Sequence, residues 1–132
     1  WDWFALNLSD GSDLMLSFVR AKDGSFPLVY GTWVGANGVV QHIEGSEIDL
    51  TALGSWTSPH SGATWPSGWR VQIGQIDLDV TVTPELADQE LNTVESTGVI
   101  YWEGANAVAG TLGGRPITGR SYVELTGYAT LR

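Results

Sequence analysis

Turn sequences that contain glycine interrupt the chain at short intervals along its length. Asp10-Gly11 and Asp23-Gly24 separate the first three apolar stretches, and Asn37-Gly38 separates the next two. Asp-Gly and Asn-Gly pairs favour tight reversals because these residues tolerate positive φ. With 17 glycines in 132 residues, the chain is poor material for long helices. The intervals between turns predict short antiparallel strands joined by hairpins.

The stretches between the turns alternate between apolar and polar residues. In residues 76–82, Ile76, Leu78 and Val80 alternate with polar side chains, which is typical of a strand with one buried face. We predict strands over residues 2–8, 14–20, 28–34, 39–44, 47–53, 70–73, 76–82, 99–103, 105–112 and 117–131, with a loop over 55–69 and a helical turn over 85–91. A sheet of about eight to ten strands generally closes or splits to remove its edges. Consecutive hairpins favour an antiparallel β-barrel over a sandwich, so the sequence predicts one all-β domain over residues 1–132.

The charge and composition exclude several classes of partner. Fifteen acidic and six basic residues give a net charge of −9, which repels nucleic-acid phosphates and anionic lipids. The chain has no cysteine and only two histidines, so we expect no metal site and no cofactor. No apolar run approaches the roughly 20 residues that cross a bilayer, so we expect no membrane span.

The first predicted strand carries a carboxylate on its apolar face. Asp2 shares that face with Phe4 and Leu6 because side chains alternate along a strand. Burial there would raise the pKa of Asp2 and make it a proton donor. The alternative is that Asp2 lies at a frayed strand end or forms a local salt bridge.

A second set of polar residues lies on the last strands. Tyr101 and Glu103 share one strand face, and a matching column on the final strand contains Arg120, Tyr122, Glu124, Thr126 and Tyr128. Facing the lumen of a barrel, the two glutamates would orient or protonate a ligand. The alternative is a buried hydrogen-bond network in which Arg120 pairs with a glutamate.

The predicted loop over residues 55–69 is rich in aromatic residues. It contains Trp56, Trp65 and Trp69, which indicates an ordered segment that packs its rings, either as a lid or plug over a barrel mouth or as part of the core. It also contains His60, which has no carboxylate within its local sequence to support a general base.

Several ordered sequence blocks together resemble a known family. They are Trp1-Asp2-Trp3-Phe4-Ala5-Leu6, Trp56-Thr57-Ser58-Pro59-His60-Ser61-Gly62, Val82-Thr83-Pro84, Asp88-Gln89-Glu90-Leu91, Tyr101-Trp102-Glu103-Gly104-Ala105 and residues 119–128. The chain resembles the second barrel of the lipocalin-like family that includes carotenoid 1,2-hydratase (hydroxyneurosporene synthase), the AttH proteins and predicted secreted hydrolases. The blocks run in order from one end of the chain to the other, so the resemblance extends over nearly the whole chain.

This resemblance implies a calycin or lipocalin-like barrel that is the C-terminal half of a two-barrel protein, with a second barrel in cis. It implies an apolar ligand, an isoprenoid polyene or lipid, and acid-catalysed hydration of a C=C bond by a hydro-lyase. Asp2 is then the first candidate acid, followed by Glu103 and Glu124. The expected ligand-binding residues are Trp3, Phe4, Tyr101, Trp102, Arg120, Tyr122 and Tyr128. The resemblance also implies a secreted or periplasmic location. A non-catalytic carrier, or a structural half without its own site, remains the alternative.

Overall fold

The computed structural model describes residues 1–130, which form twelve strands and two short 3₁₀ turns. The strands are β1 (Asp2–Leu8), β2 (Asp13–Val19), β3 (Leu28–Val34), β4 (Val40–Glu44), β5 (Ile48–Ala52), β6 (Ser55–Thr57), β7 (Thr64–Pro66), β8 (Trp69–Ile73), β9 (Leu78–Pro84), β10 (Glu90–Asn92), β11 (Ile100–Leu112) and β12 (Arg115–Thr126). The 3₁₀ turns are Gly45–Glu47 and Gly74–Ile76. No helix within residues 1–130 is long and apolar enough to cross a bilayer.

Ten of these strands form one antiparallel sheet. Its order is β4-β3-β2-β1-β12-β11-β9-β8-β5, and β10 pairs separately with β11. Most neighbours are consecutive in sequence, as expected for hairpins, whereas the pairing of β1 with β12 joins the two ends of the chain. The sheet curls into a nearly closed, all-β barrel, which confirms the predicted fold class.

The seam of the barrel lies between its two outermost strands, β4 and β5. The turn Gly45–Glu47 carries the chain directly from one to the other. Gln75 bridges the seam: its side-chain amide donates to the His42 carbonyl oxygen at 2.8 Å and accepts from the Glu44 backbone N–H at 3.2 Å. The Gln75 amide thus pairs with the free edge of β4 much as a neighbouring strand would.

Large apolar side chains fill the interior. Phe4, Trp69 and Trp102 lie at its centre and are at most 1% exposed. The ring centroids of Phe4 and Trp69 are 5.3 Å apart, those of Trp69 and Trp102 are 5.9 Å apart, and both pairs meet edge to face. Edge-to-face contacts are favourable because the positive ring edge meets the negative ring face. The lumen around these rings is therefore occupied by side chains.

Several local predictions need correction. The predicted loop over residues 55–69 contains a small separate sheet, formed by β6 and β7. The predicted helical turn over 85–91 is absent, and Glu90–Asn92 forms a strand against β11 instead. The two strands predicted over 99–103 and 105–112 form a single strand, β11, because Gly104 between them also pairs with Val123 of β12. The final strand ends at Thr126, and Leu131, which was predicted to end it, lies with Arg132 outside the described residues.

Candidate functional site

Asp2 lies inside one end of the barrel, where β1 begins. Its backbone pairs with Leu125 of β12 and Phe18 of β2, and its side chain points inward with Phe4 and Leu6. The residue is only 3% exposed. We call this end of the barrel, where β1 and β11 begin and β2 and β12 end, the Asp2 end.

The Asp2 carboxyl group has one strong hydrogen bond and one free oxygen. The Tyr128 hydroxyl donates to Oδ2 at 2.7 Å, and Oδ1 is buried without a hydrogen-bond partner among residues 1–130. Burial raises the pKa of Asp2, while the Tyr128 hydrogen bond and the positive charge of Arg20 oppose that rise. Asp2 therefore holds its proton to higher pH than an exposed aspartate, as a proton donor must.

Arg20 and Tyr128 complete the polar part of this end. The Arg20 guanidinium lies 3.9 Å from the centroid of the Tyr128 ring, within the range of a cation–π contact, and its Nη2 donates to the Thr126 carbonyl oxygen at 2.7 Å. Burial and the nearby Asp2 carboxylate raise the pKa of Tyr128, so its hydroxyl keeps its proton and remains a donor.

Two surface pockets adjoin at the Asp2 end. One, of about 250 Å³, has a mostly apolar lining that includes Trp1, Val99 and Ile100. The other, of about 310 Å³, includes Arg20 and Lys22 in its lining. Both share Trp1, Thr126 and Gly127, so an apolar and a cationic pocket meet beside the start of β1.

The expectation that Glu103 and Glu124 face the lumen is wrong. Their strand neighbours Trp102, Val123 and Leu125 are fully buried in the core, so alternation turns both glutamates to the outer face. They lie directly opposite each other across β11 and β12. Partial burial and the charge of Glu124 raise the pKa of Glu103.

The expected ligand-binding residues are divided between the two faces of the sheet. Phe4 and Trp102 lie in the packed core, and Tyr128 contacts Asp2. The other four were expected to line the lumen but lie on the outer face of the sheet, because they alternate with buried neighbours along their strands. They are Trp3, Tyr101, Arg120 and Tyr122. The inner and outer sets do not form one site.

Sequence reasoning missed the role of Glu90, which ties the 55–69 segment to the main sheet. Its carboxylate accepts hydrogen bonds from Ser58 Oγ at 2.9 Å, Ser61 Oγ at 2.6 Å and Trp65 Nε1 at 2.8 Å. Ser58, Ser61 and Glu90 belong to two of the blocks that carry the family resemblance, and the joint occurrence of those blocks is the only sequence indication of the contact; Trp65 lies outside them.

The same two blocks also place a carboxylate beside His60. His60 Nε2 lies 2.9 Å from Asp88 Oδ2, a partner that local sequence did not reveal, and both side chains are largely exposed. Ser58 and Ser61 direct their hydroxyl groups to Glu90 and not to the His60 ring. The arrangement is therefore not a Ser-His-Asp triad.

Gln89, from the block Asp88–Leu91, pairs with the end of the block Tyr101–Ala105. Its side-chain amide accepts from the Ala105 backbone N–H at 2.8 Å and donates to the Ala105 carbonyl oxygen at 3.0 Å. A Cβ atom at position 104 would collide with the Gln89 amide, so this approach requires Gly104.

Among residues 1–130, no cluster of three or more His, Cys, Asp or Glu side chains is arranged to hold a metal ion.

Comparisons with known proteins agree with this architecture. The sequence profile of the AttH-like family matches residues 1–128. The chain is similar to the crystal structure of a candidate AttH from Nitrosomonas europaea, with 37% identity and a TM-score of 0.84 over 98% of this chain and 39% of that one. It also shares its fold with kievitone hydratase from Nectria haematococca, at 22% identity and a TM-score of 0.78, again over 98% and 39% of the two chains. No curated protein sequence matches significantly.

Proposed function

The chain belongs to the AttH-like family, and from that premise we propose that its Asp2 end binds an apolar small molecule, an isoprenoid polyene or another lipid, and hydrates one of its C=C bonds. The chemistry follows the name of one fold neighbour, kievitone hydratase. Asp2 is the proposed acid. The apolar pocket beside Trp1 and Ile100 is the proposed site for the ligand.

The buried Asp2 carboxyl group is the observation that carries this proposal. An alkene is a weak base, so its hydration begins with a proton from a group that remains protonated until the substrate is bound. Asp2 meets that need because burial raises its pKa. Its Oδ1 has no hydrogen-bond partner within residues 1–130, and because Asp2 lines neither pocket at this end, the proposal requires the ligand to reach past Trp1 and Thr126 to the carboxyl group. Glu103 and Glu124 are not retained as acids, since both lie on the outer face.

The proposed reaction is balanced as the net addition of water. The Asp2 proton is transferred to one alkene carbon, whose π electrons form the new C–H bond and leave a cation on the other carbon. A water molecule attacks that cation and forms the C–O bond. The proton that this water then loses returns to the Asp2 carboxylate, which restores the acid. Aromatic rings at the Asp2 end, such as that of Trp1, would stabilise the cation through their negative faces.

A structural role without a ligand is the second candidate, and the packed interior favours it. Phe4, Trp69 and Trp102 occupy the volume in which lipocalin-like carriers hold their ligands. The chain also spans only 39% of the length of the two solved structures it matches. We therefore propose that a second barrel in cis contributes to the site, and that this half alone binds more weakly than both together.

A binding and turnover experiment separates these possibilities. A fluorescent polyene such as parinaric acid should quench tryptophan fluorescence saturably, and an acyclic isoprenoid polyene should gain one water. Asp2→Asn should abolish hydration and keep the quenching, whereas Asp13→Asn, which removes an exposed carboxylate at the other end of β1 and β2, should change neither. Quenching without hydration would indicate a carrier. The absence of both, in this chain and in one carrying both barrels, would reject the proposed function.

We also propose a secreted or periplasmic location, on the strength of the family resemblance alone. Fractionation of cells that express the natural gene would test it, and recovery of the protein in the cytoplasmic fraction would contradict it.

A further inference from the structure

We propose that Glu90 is a positioning residue, which holds the Tyr128 hydroxyl on Asp2 by fixing the indole of Trp65. The inference rests on the proposed function for its importance, because Asp2 is the proposed acid. Its structural content can be tested whether or not the protein is an enzyme.

Tyr128 depends on side chains for its position. It follows the end of β12 at Thr126 and the positive-φ Gly127, so it has left the strand ladder. Its ring contacts the Arg20 guanidinium, 3.9 Å from the centroid, and Trp65, with ring centroids 5.4 Å apart, and it packs against the edge of the core. A displaced Trp65 would therefore remove the aromatic contact that helps to hold the Tyr128 ring in place.

Trp65 depends in turn on Glu90. It lies in β7, whose ladder pairs only with β6 and does not belong to the main sheet. The Trp65 indole is completely buried, and its N–H is satisfied by Glu90 Oε2 at 2.8 Å. Without that acceptor, the indole N–H would be a buried donor without a partner, which costs about 1–3 kcal/mol in general.

Glu90 is well placed to fix the hairpin formed by β6 and β7 to the barrel. It belongs to β10, where its backbone pairs with that of Trp102 in the main sheet. Its carboxylate also receives the hydroxyl groups of Ser58 and Ser61, at 2.9 Å and 2.6 Å. Three donors from the 55–69 segment thus converge on one carboxylate that the barrel holds in place. Hydrogen bonds to a charged acceptor are the strong ones, so this contact can determine where the hairpin lies.

The test measures the titration of Asp2 by NMR of its carboxyl carbon, which the Tyr128 hydroxyl and Arg20 both influence. Tyr128→Phe removes the hydrogen bond that stabilises the charged form of Asp2, so the Asp2 titration should move to higher pH. Glu90→Gln should move it in the same direction by at least half as much. The double variant should match Tyr128→Phe alone, because both changes break one chain of contacts.

Glu85→Gln is the matched control. It makes the same kind of change at an exposed carboxylate five residues before Glu90, whose side chain has no hydrogen bond to Glu90 or Trp65 within residues 1–130, so the Asp2 titration should stay where it is in the unchanged protein. The indole N–H resonance of Trp65 reports separately whether its bond to Glu90 has been broken. A shift of that resonance in Glu90→Gln without a change at Asp2 would overturn the proposal, as would additive shifts in the double variant.

Trp65→Phe provides the same test if Glu90→Gln does not fold. It retains an aromatic ring beside Tyr128 and removes the indole N–H that Glu90 holds. The Asp2 titration should again move toward that of Tyr128→Phe, and an unchanged titration would overturn the proposal. Because all these readouts concern Asp2 ionisation, they remain valid even if the protein proves to catalyse no hydration.

Discussion

The Tyr128 hydroxyl donates a hydrogen bond of 2.7 Å to Asp2 although 126 residues separate the two in sequence. The pairing of β1 with β12 brings them together, because it places both ends of the described chain at one end of the barrel. The surroundings of the proposed acid are therefore formed by residues from the first and last parts of the fold.

The first prediction concerns the stability of Asp2→Asn as a function of pH. Burial raises the folded-state pKa of Asp2 above its ordinary value of 3.8, so the folded protein binds this proton more tightly than the unfolded chain. The contribution of Asp2 to stability is therefore greatest below that value and is lost as the pH rises toward the folded pKa, by up to about 1.4 kcal/mol per pH unit. Asp2→Asn lacks this loss. Relative to the unchanged protein, the free energy of unfolding of Asp2→Asn should therefore rise as the pH increases from 3.8 toward the folded-state pKa of Asp2, as measured by urea unfolding.

Asp13→Asn is the control for this measurement, because Asp13 is exposed. Stability curves of Asp2→Asn and the unchanged protein that run parallel over the whole pH range would contradict the prediction.

The second prediction concerns the two opposed glutamates on the outer face. Like charges directly opposite each other across two strands are destabilising, so Glu103→Gln should stabilise the protein by about 0.2–1 kcal/mol at low salt. Glu124→Gln should gain less, because Glu124 also accepts a hydrogen bond from the Trp1 indole at 2.6 Å. Thermal unfolding at low and high salt would measure both. A gain from Glu103→Gln that does not shrink with salt would argue against repulsion as the cause.

The third prediction compares two aromatic neighbours on β11. Trp102 is completely buried and donates a hydrogen bond to the Ala87 carbonyl oxygen, whereas Tyr101 faces outward. Trp102→Ala should lower the free energy of unfolding by about 3–5 kcal/mol, and Tyr101→Ala by only about 1 kcal/mol. Denaturant unfolding of both variants tests this difference. Equal losses would mean that the two faces of β11 are misassigned.

The fourth prediction concerns the seam of the barrel. Gln75→Ala removes the amide that pairs with the edge of β4, so the Glu44 backbone N–H should exchange with solvent about fivefold to tenfold faster. Gln41→Ala, an exposed position on the same strand, serves as the control and should leave that rate unchanged. If the Glu44 amide exchanges equally fast in both variants, Gln75 does not seal the barrel.

Alternation along the strands predicted the positions of the strands well and their orientation only in part. β1 begins and ends where the sequence indicated, and Asp2, Phe4 and Leu6 share an inward face as expected. On β11 and β12 the same rule grouped Glu103 with Glu124 correctly and assigned the wrong face. A period of two divides a strand into two sets of side chains. Which set is buried depends on the total apolar area that each can pack, and here Val123 and Leu125 decide it.

The contacts of the 55–69 segment were beyond local sequence reasoning. Short strands of three residues, such as β6, β7 and β10, carry too few residues to show a period. The bond between Glu90 and Trp65 joins residues 25 positions apart, and no spacing rule links them.

The sequence by itself determined that this protein is an antiparallel all-β domain, because its glycine turns and alternating strands predict consecutive hairpins, and such hairpins favour a barrel over a sandwich. It also determined that Asp2 shares a face with apolar residues. Tertiary structure alone decided that Tyr128 and Arg20 lie beside that carboxyl group and that Trp65 packs against Tyr128, because closing a sheet brings distant strands and their flanking segments together. The burial that raises the pKa of Asp2 arises only at that step, since it depends on neighbours that the chain supplies from its other end.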